Sequence, residues 1–127
     1  MIFGNGLLKS RKTFNSGLWT LGRFNSFVTS ILRSGSRRWG PKYETLNEAK
    51  TEKKINPKSG RLAQHFICAS CSKEFVAKDV QVDHIKPMGF DQTWDKFINE
   101  LYCEKENLQV LCLTCHKAKT KLEKKKN

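Results

Sequence analysis

The sequence Gln81-Val82-Asp83-His84-Ile85-Lys86-Pro87, together with the stretch from Asn107 to Thr120, decides the fold of this chain. Asp83 and His84 are adjacent and follow an alternating run that is typical of a strand. The second stretch begins at Asn107, continues through a short apolar run and ends in Cys112-Leu-Thr-Cys115-His116. An acid, two histidines, an asparagine and two cysteine pairs in the second half of the chain indicate metal chemistry.

The net positive charge is concentrated in the first part of the chain, because most of the acidic residues lie in the second part. The 24 Lys and Arg residues against 12 Asp and Glu residues give a net charge of +12, and residues 1–40 contain no acid at all. A field of that sign attracts polyanions and accelerates their capture. We therefore expect a nucleic acid as partner, with a merely solvated basic surface as the alternative.

The cysteine pattern points to a metal in a reducing compartment. Two Cys-x-x-Cys pairs, Cys68/Cys71 and Cys112/Cys115, leave Cys103 unpaired, and the sequence begins without a signal peptide pattern. Secreted disulfide scaffolds usually have an even number of cysteines and a signal peptide. No apolar run approaches the roughly 20 residues that would span a bilayer. A cytoplasmic protein without a membrane partner is the expectation.

The two cysteine pairs predict a structural zinc site. A thiolate pair two residues apart can chelate one ion, and two such pairs complete a closed tetrahedral site. The segment between Cys71 and Cys112 would then be a folded insertion. A redox-active Cys-x-x-Cys is the rival, but it does not explain two pairs that flank a histidine-bearing segment. Zinc binding can contribute on the order of 10 kcal/mol to the folding of so small a domain.

The first half of the chain is expected to form a basic, mainly helical extension over 1–60 with a flexible start. Apolar residues at three- and four-residue steps predict a helix from Leu18 to Arg33, and a second helix is predicted over Tyr43–Lys54. Pro57 and Gly60 mark 55–60 as a linker to a domain over 61–127. Three arginines are candidates for phosphate contacts, namely Arg33, Arg37 and Arg38. A mitochondrial transit peptide is the alternative for this front part.

The second half mixes strands and helices, so the fold class is α+β. Strand character is predicted at 75–76 and 80–82, and a short apolar run lies at 108–111. Helical spacing predicts one helix over 91–102, with Asp91 as its N-cap, and another over 113–124.

Four side chains remain for a second metal site once the thiolates are assigned to zinc. They are Asp83, His84, Asn107 and His116. A carboxylate with an imidazole is a mixed oxygen and nitrogen set, which suits Mg²⁺, Mn²⁺ or a similar ion that keeps several waters.

At these residues the sequence resembles the HNH endonuclease family. The matching parts are Val82-Asp83-His84-Ile85-Lys86-Pro87, Asn107-Leu108-Gln109-Val110-Leu111-Cys112 and Cys115-His116-Lys117-Ala118-Lys119-Thr120, within about residues 61–121. The sequence resembles small phage-encoded members with two zinc-binding Cys-x-x-Cys pairs. The front resembles their leader more loosely, through Ile31-Leu-Arg33 and Arg37-Arg38-Trp39-Gly-Pro41-Lys-Tyr43-Glu44. The stretch 88–106 departs from the family, because Gly89 is its only glycine where many relatives have a pair.

The resemblance implies a small ββα-metal (His-Me finger) nuclease domain with a structural zinc site. It implies that Asp83 and His116 are ligands of a catalytic Mg²⁺ or Mn²⁺ ion, that His84 is the general base, and that Asn107 supports the loop and orients His84. Lys86 and Lys119 are candidates for phosphate contacts, with solvated lysines as the equal alternative.

The expected function is metal-dependent hydrolysis of DNA phosphodiester bonds, by nicking or by double-strand cleavage. A non-catalytic, zinc-stabilised nucleic-acid-binding module is the chief alternative, and action on RNA is a third. Duplex DNA is the expected partner, and the sequence leaves a dimer or a partner protein open. If the protein is encoded by a bacteriophage, its location is the cytoplasm of the host.

Overall fold

The computed structural model describes residues 11–89 and 93–126. In chain order the elements are α1 (Leu21–Ser36), α2 (Gly40–Glu48), β1 (Lys50–Ile55), β2 (Leu62–Ile67), β3 (Glu74–Val76), β4 (Val80–His84), α3 (Trp94–Leu101), β5 (Leu108–Cys112) and α4 (Leu113–Lys126), with single 3₁₀ turns before β4 and β5. Contacts between residues divide the chain into two compact units. The first contains residues up to 39 together with 88–103, and the second contains 40–87 together with residues from 104 onward.

The first unit is a pair of helices, α1 and α3. The hydroxyl of Thr20 accepts a hydrogen bond from the backbone N–H of Arg23 at 3.1 Å and caps α1. Phe97 and Leu101 of α3 are buried and pack against Leu32 of α1. Burial of these apolar side chains is the main stabilising contribution to the pair.

Hydrogen bonds fix the ends of the first unit to this helix pair. The Tyr102 hydroxyl donates to the Leu32 carbonyl at 2.7 Å, and the Trp39 indole N–H donates to the Cys103 carbonyl at 2.7 Å. The rings of Trp39 and Tyr102 meet edge to face, with their centroids 5.4 Å apart. Trp39 is therefore a packing residue of this unit.

The second unit contains two antiparallel sheets and two helices. Strands β1, β2 and β3 form one sheet in that order, and β4 pairs with β5. In the β4–β5 pair, Asp83 lies opposite Gln109 and His84 opposite Leu108. The core of the unit lies between the sheets and α2, and its buried members are Ala49, Phe66, Val80 and Val110.

The α+β class and the order strand, strand, helix over β4, β5 and α4 confirm the predicted architecture. Thr93, not Asp91, caps α3, through a 3.2 Å bond from the N–H of Lys96 to its hydroxyl. Asp91 lies outside the described residues, as do residues 1–10 of the segment 1–17 that the sequence predicts to be poorly ordered. In the rest of that segment Phe14 is buried and forms a β-bridge with Trp19, so there the prediction is wrong. Within the described part of the chain, no helix has both the length and the apolar character needed to cross a membrane.

Two predictions for residues 43–60 are wrong. The predicted helix over 43–54 ends at Glu48, and residues 50–55 form strand β1. Pairing with β2 outweighs the helix propensity of a Lys- and Glu-rich segment. The predicted linker over 55–60 is the turn of the β1–β2 hairpin, in which Gly60 has φ of +72° and its N–H donates to the Asn56 carbonyl at 2.8 Å. Glycine adopts that left-handed conformation without the steric cost that a side chain imposes.

Candidate metal centres

The first candidate centre is formed by four cysteines from three elements of the second unit. The side-chain sulfurs of Cys68, Cys71, Cys112 and Cys115 all lie within 4.8 Å of one another. Zinc binds thiolate sulfur at about 2.3 Å in a tetrahedron, so the four sulfurs of a loaded site lie about 3.8 Å apart. The donor type, the number of donors and their spacing therefore fit a structural zinc ion.

Backbone hydrogen bonds position the two cysteine pairs. Cys68 follows β2, and the N–H of Ala69 donates to the Val110 carbonyl at 2.8 Å, which attaches the first turn to β5. Cys112 ends β5, and the N–H of Cys115 in the first turn of α4 points at the Cys112 sulfur from 3.4 Å. Ser72 has φ of +61°, which closes the first turn.

The thiols of this cluster differ in acidity. Burial alone would raise the pKa of Cys68, but hydrogen bonds from the backbone N–H groups of Cys71, Cys112 and Ser70 lower it to about 6. A hydrogen bond with the Cys112 side chain raises the pKa of Cys115 to about 12. Four adjacent thiolates repel one another, so full ionisation requires a cation among them.

The second candidate centre joins β4 to α4. Oδ1 of Asp83 lies 3.5 Å from Nε2 of His116. The Asp83 side chain is 11% exposed and that of His116 is 33% exposed, so the pair is open to solvent on the histidine side. Oxygen and nitrogen ligands lie about 2.1 Å from Mg²⁺, so neighbouring ligands are about 3.0 Å apart and opposed ligands about 4.2 Å. The observed 3.5 Å lies between these two values, so the two side chains would have to shift by about 0.5 Å to bind one ion as neighbouring ligands.

The other carboxylate oxygen of Asp83 is held by protein groups. Oδ2 lies 3.1 Å from the Lys119 ammonium and accepts a hydrogen bond from the Gln109 side-chain amide at 3.3 Å. Lys119 also donates to the His84 carbonyl at 2.8 Å and to Glu123 at 2.8 Å. Partial burial lowers the pKa of Lys119, but its bonds to Glu123 and Asp83 outweigh that and raise the pKa above its ordinary value. The ammonium is therefore a fixed positive charge beside the pair.

Asn107 connects the two strands at the same end of the sheet. Its side-chain oxygen accepts from the Lys86 N–H at 2.9 Å and its amide donates to the Lys86 carbonyl at 3.3 Å. The Asn107 carbonyl accepts from the Ile85 N–H at 2.9 Å. The segment that follows His84 is thus fixed by three bonds to one residue.

His84 is the last residue of β4 and is half-buried. Side chains of adjacent strand residues point to opposite faces, so the Asp83 carboxylate and the His84 imidazole leave the strand on different sides. In the described part of the chain, the four cysteines are the only group of three or more potential ligand side chains close enough to share an ion. The structure thus pairs Asp83 with His116 and does not add His84 to that pair.

A comparison with known protein families matches the segment that contains both candidate centres. Residues 68–122 match the family model described as HNH endonuclease. This segment is therefore similar to the HNH endonuclease family. HNH endonucleases are nucleases that act on DNA. No curated protein and no solved structure gives a match to the chain. The predicted bacteriophage origin and cytoplasmic location stay predictions.

The basic residues that the sequence singles out lie in different environments. Arg33 is exposed, and its guanidinium lies 5.5 Å from the centre of the Phe97 ring of the first unit. Arg37, Arg38 and Lys86 are exposed. Lys119 is engaged by oxygen atoms of the second unit, as described above.

Sequence inspection missed two further groups near the second centre. Gln109 contacts Asp83 because the two residues lie opposite each other in the β4–β5 pair. Glu123 contacts Lys119 because it lies one helical turn further along α4. Lys117, Lys121 and Lys124 lie on α4 with His116 and Thr120, around a shallow cleft of about 320 Å³. We call these three lysines the lysine face. Their spacing of four and three residues could have predicted this face from the sequence, since it places the three side chains on one side of a helix.

Proposed function

We propose that this protein is a metal-dependent endonuclease that hydrolyses phosphodiester bonds in DNA. The observation that carries the proposal is the 3.5 Å approach of Asp83 Oδ1 and His116 Nε2, from a strand and a helix of the segment that matches the HNH family. An open carboxylate–imidazole pair of this kind suits a divalent ion that exchanges water for substrate oxygen.

Asp83 and His116 would hold Mg²⁺ or Mn²⁺ through Oδ1 and Nε2. An ion bound there supplies positive charge that stabilises the phosphate and the leaving oxygen. The four cysteines would hold zinc in a separate structural role, since the four sulfurs would fill all four coordination positions of the ion and leave none for water or substrate.

His84 is the proposed general base. A neutral imidazole can accept the proton of the attacking water at physiological pH, and such catalysis typically contributes about 10²–10⁴-fold. Because strand alternation separates His84 from Asp83, the base and the ion ligands would approach the phosphate from different sides. Asn107 would support this arrangement through its bonds to the segment 85–86.

The lysine face is the proposed path of the DNA backbone to this site. Its three lysines are exposed, and none of them has an acidic partner among the described residues. His116 lines the same cleft, so phosphates bound by the lysines would lie beside the proposed ion site. Arg37, Arg38 and Lys86 are proposed as additional backbone contacts. Each phosphate neutralised would release counterions, which makes binding weaken steeply with salt.

A supercoiled-plasmid assay tests the function. Wild type and His84→Ala are compared in EDTA, Mg²⁺ and Mn²⁺, and zinc content is determined in both proteins. We expect metal-dependent nicking or linearisation that the variant loses by about 10²–10⁴-fold. A plasmid that is bound but uncut in every metal would support a zinc-stabilised binding module instead. Parallel reactions with single-stranded DNA and RNA establish the substrate class.

A further inference from the structure

The Lys119 ammonium contacts oxygen atoms of three residues of the second unit, two on β4 and one on α4. It lies 3.1 Å from Asp83 Oδ2, 2.8 Å from the His84 carbonyl oxygen and 2.8 Å from Glu123 Oε1. A lysine ammonium has three N–H donors and accepts nothing. All three donors are therefore used inside the protein, which leaves none for a DNA phosphate.

These contacts determine which Asp83 oxygen faces the proposed ion. Oδ2 is held by Lys119 and by the Gln109 amide, while Oδ1 faces His116. A carboxylate otherwise turns easily about its terminal bond. Fixing Oδ2 therefore fixes the direction of Oδ1.

The bond to the His84 carbonyl extends this effect to the backbone of β4. Lys119 is on α4, three residues after His116, so both residues lie on the same side of the helix. One ammonium thus joins the strand end that carries Asp83 and His84 to the helix that carries His116.

We propose that Lys119 is a positioning residue that aims Asp83 Oδ1 at the ion site, and that its charge, partly offset by Glu123, weakens the affinity of that site for a divalent ion. The inference rests on the proposed function, because it takes Asp83 and His116 as the ion ligands. The structure thereby assigns Lys119 a role different from the phosphate contact that the sequence predicts.

Two substitutions distinguish an effect of charge from an effect on the fold, because the charge effect changes the affinity for the ion in opposite directions in the two variants. Lys119→Met removes a positive charge beside the ion site, and Gln109 still holds Oδ2, so the ion should bind more tightly. Glu123→Gln keeps an oxygen for Lys119 but removes the negative charge that offsets it, so the ion should bind more weakly. A residue that only holds the fold together would weaken ion binding in both variants.

Calorimetric titration of Mn²⁺ into the zinc-loaded full chain without DNA measures these changes. We expect the Mn²⁺ dissociation constant to fall on the order of 10-fold in Lys119→Met and to rise several-fold in Glu123→Gln. Lys119→Arg retains the charge and should stay close to wild type. Lys125→Met is the matched control, because Lys125 is an exposed lysine on the same helix.

Turnover should change in the opposite direction to affinity. At saturating Mn²⁺, Lys119→Met should lower kcat about 10–100-fold, because the bond that holds the His84 carbonyl of β4 to α4 is lost. Weaker or unchanged Mn²⁺ binding in Lys119→Met, or unchanged binding in Glu123→Gln, would overturn the proposal. If Lys119→Met does not fold, Lys119→Gln replaces it in the titration, because a side-chain amide can still donate to the His84 carbonyl but carries no charge, and it should also bind Mn²⁺ more tightly than wild type.

Failure of the inference can be told apart from failure of the proposed nuclease activity. Wild-type protein that binds Mn²⁺, shows the opposite shifts in the two variants and cuts no DNA would refute the activity and leave the role of Lys119 standing. Wild-type protein that cuts DNA, with an unchanged Mn²⁺ dissociation constant in both variants, would refute the role of Lys119 and leave the nuclease activity standing.

Discussion

Asn107 bonds both backbone groups of Lys86, with its side-chain oxygen 2.9 Å from the Lys86 nitrogen and its amide nitrogen 3.3 Å from the Lys86 oxygen. A side-chain amide is the group that can serve both a donor and an acceptor of one residue in this way. The pairing extends the β4–β5 ladder beyond His84, because the Ile85 N–H also donates to the Asn107 carbonyl at 2.9 Å. The proposed base is thus followed by a segment with little freedom to move.

Replacement of Asn107 should therefore reduce activity more than stability. In Asn107→Ala we expect kcat to fall about 10–100-fold, as for other residues that orient catalytic groups. The free energy of unfolding should fall by only about 1–2 kcal/mol, because two hydrogen bonds in an exposed segment are lost. Plasmid nicking rates and thermal melts measure the two effects. The control is Asn99→Ala, an exposed asparagine on α3, and equal losses of kcat in both variants would contradict the role of Asn107.

The cysteine cluster should be required for folding of the second unit. Cys68 is 1% exposed and Cys112 is 3% exposed, and both belong to an apolar cluster with Leu111. We expect Cys68→Ser or Cys115→Ser to lose bound zinc and to unfold this unit, since a structural site can contribute on the order of 10 kcal/mol. Zinc analysis and circular dichroism provide the measurement. Cys103→Ser is the control and should retain zinc. An unchanged melt of Cys68→Ser, with no zinc in the wild type, would refute the prediction.

The lysine face should determine how DNA binding depends on salt. Replacing Lys117, Lys121 or Lys124 by Met should weaken binding by a similar factor on every DNA sequence. Each loss should reduce the slope of log K against log salt by about 1. Titration of a labelled duplex at several salt concentrations gives that slope. The control is Lys53→Met, an exposed lysine on edge strand β1. Slopes unaffected in all three variants would place the DNA elsewhere.

The parts of the fold that follow local patterns are predictable from the sequence. Strands β4 and β5 follow from short apolar runs, and the cysteine cluster follows from two pairs with chelating spacing. A strand and a following helix also bring Asp83 and His116 within 3.5 Å of each other, while the sharing of an ion stays a prediction. The chemistry of these residue types depends little on the rest of the chain.

The parts that depend on distant partners are not predictable in this way. Residues 50–55 are rich in Lys and Glu and favour a helix locally, yet they form a strand because β2 offers unpaired backbone groups. The apolar residues of α1 and α3 predict two helices, but nothing local indicates that these two pack on each other across more than 60 residues of sequence. The contacts of Lys119 with β4 also depend on distant partners, because Asp83 and His84 lie more than 30 residues before it in the sequence.

The packing of α1 on α3 yields the last prediction. Phe97 is completely buried and is the largest fully buried side chain of that core, and the Arg33 guanidinium lies over its ring. Phe97→Ala should lower the free energy of unfolding of this helix pair by about 3–5 kcal/mol, because it removes buried apolar area and leaves a cavity. Amide hydrogen exchange should become faster throughout Leu21–Ser36 and Trp94–Leu101. Ile98→Ala, at a neighbouring residue that is 39% exposed, is the matched control and should change exchange little. Slow exchange retained in both helices of Phe97→Ala would show that Phe97 does not hold them together.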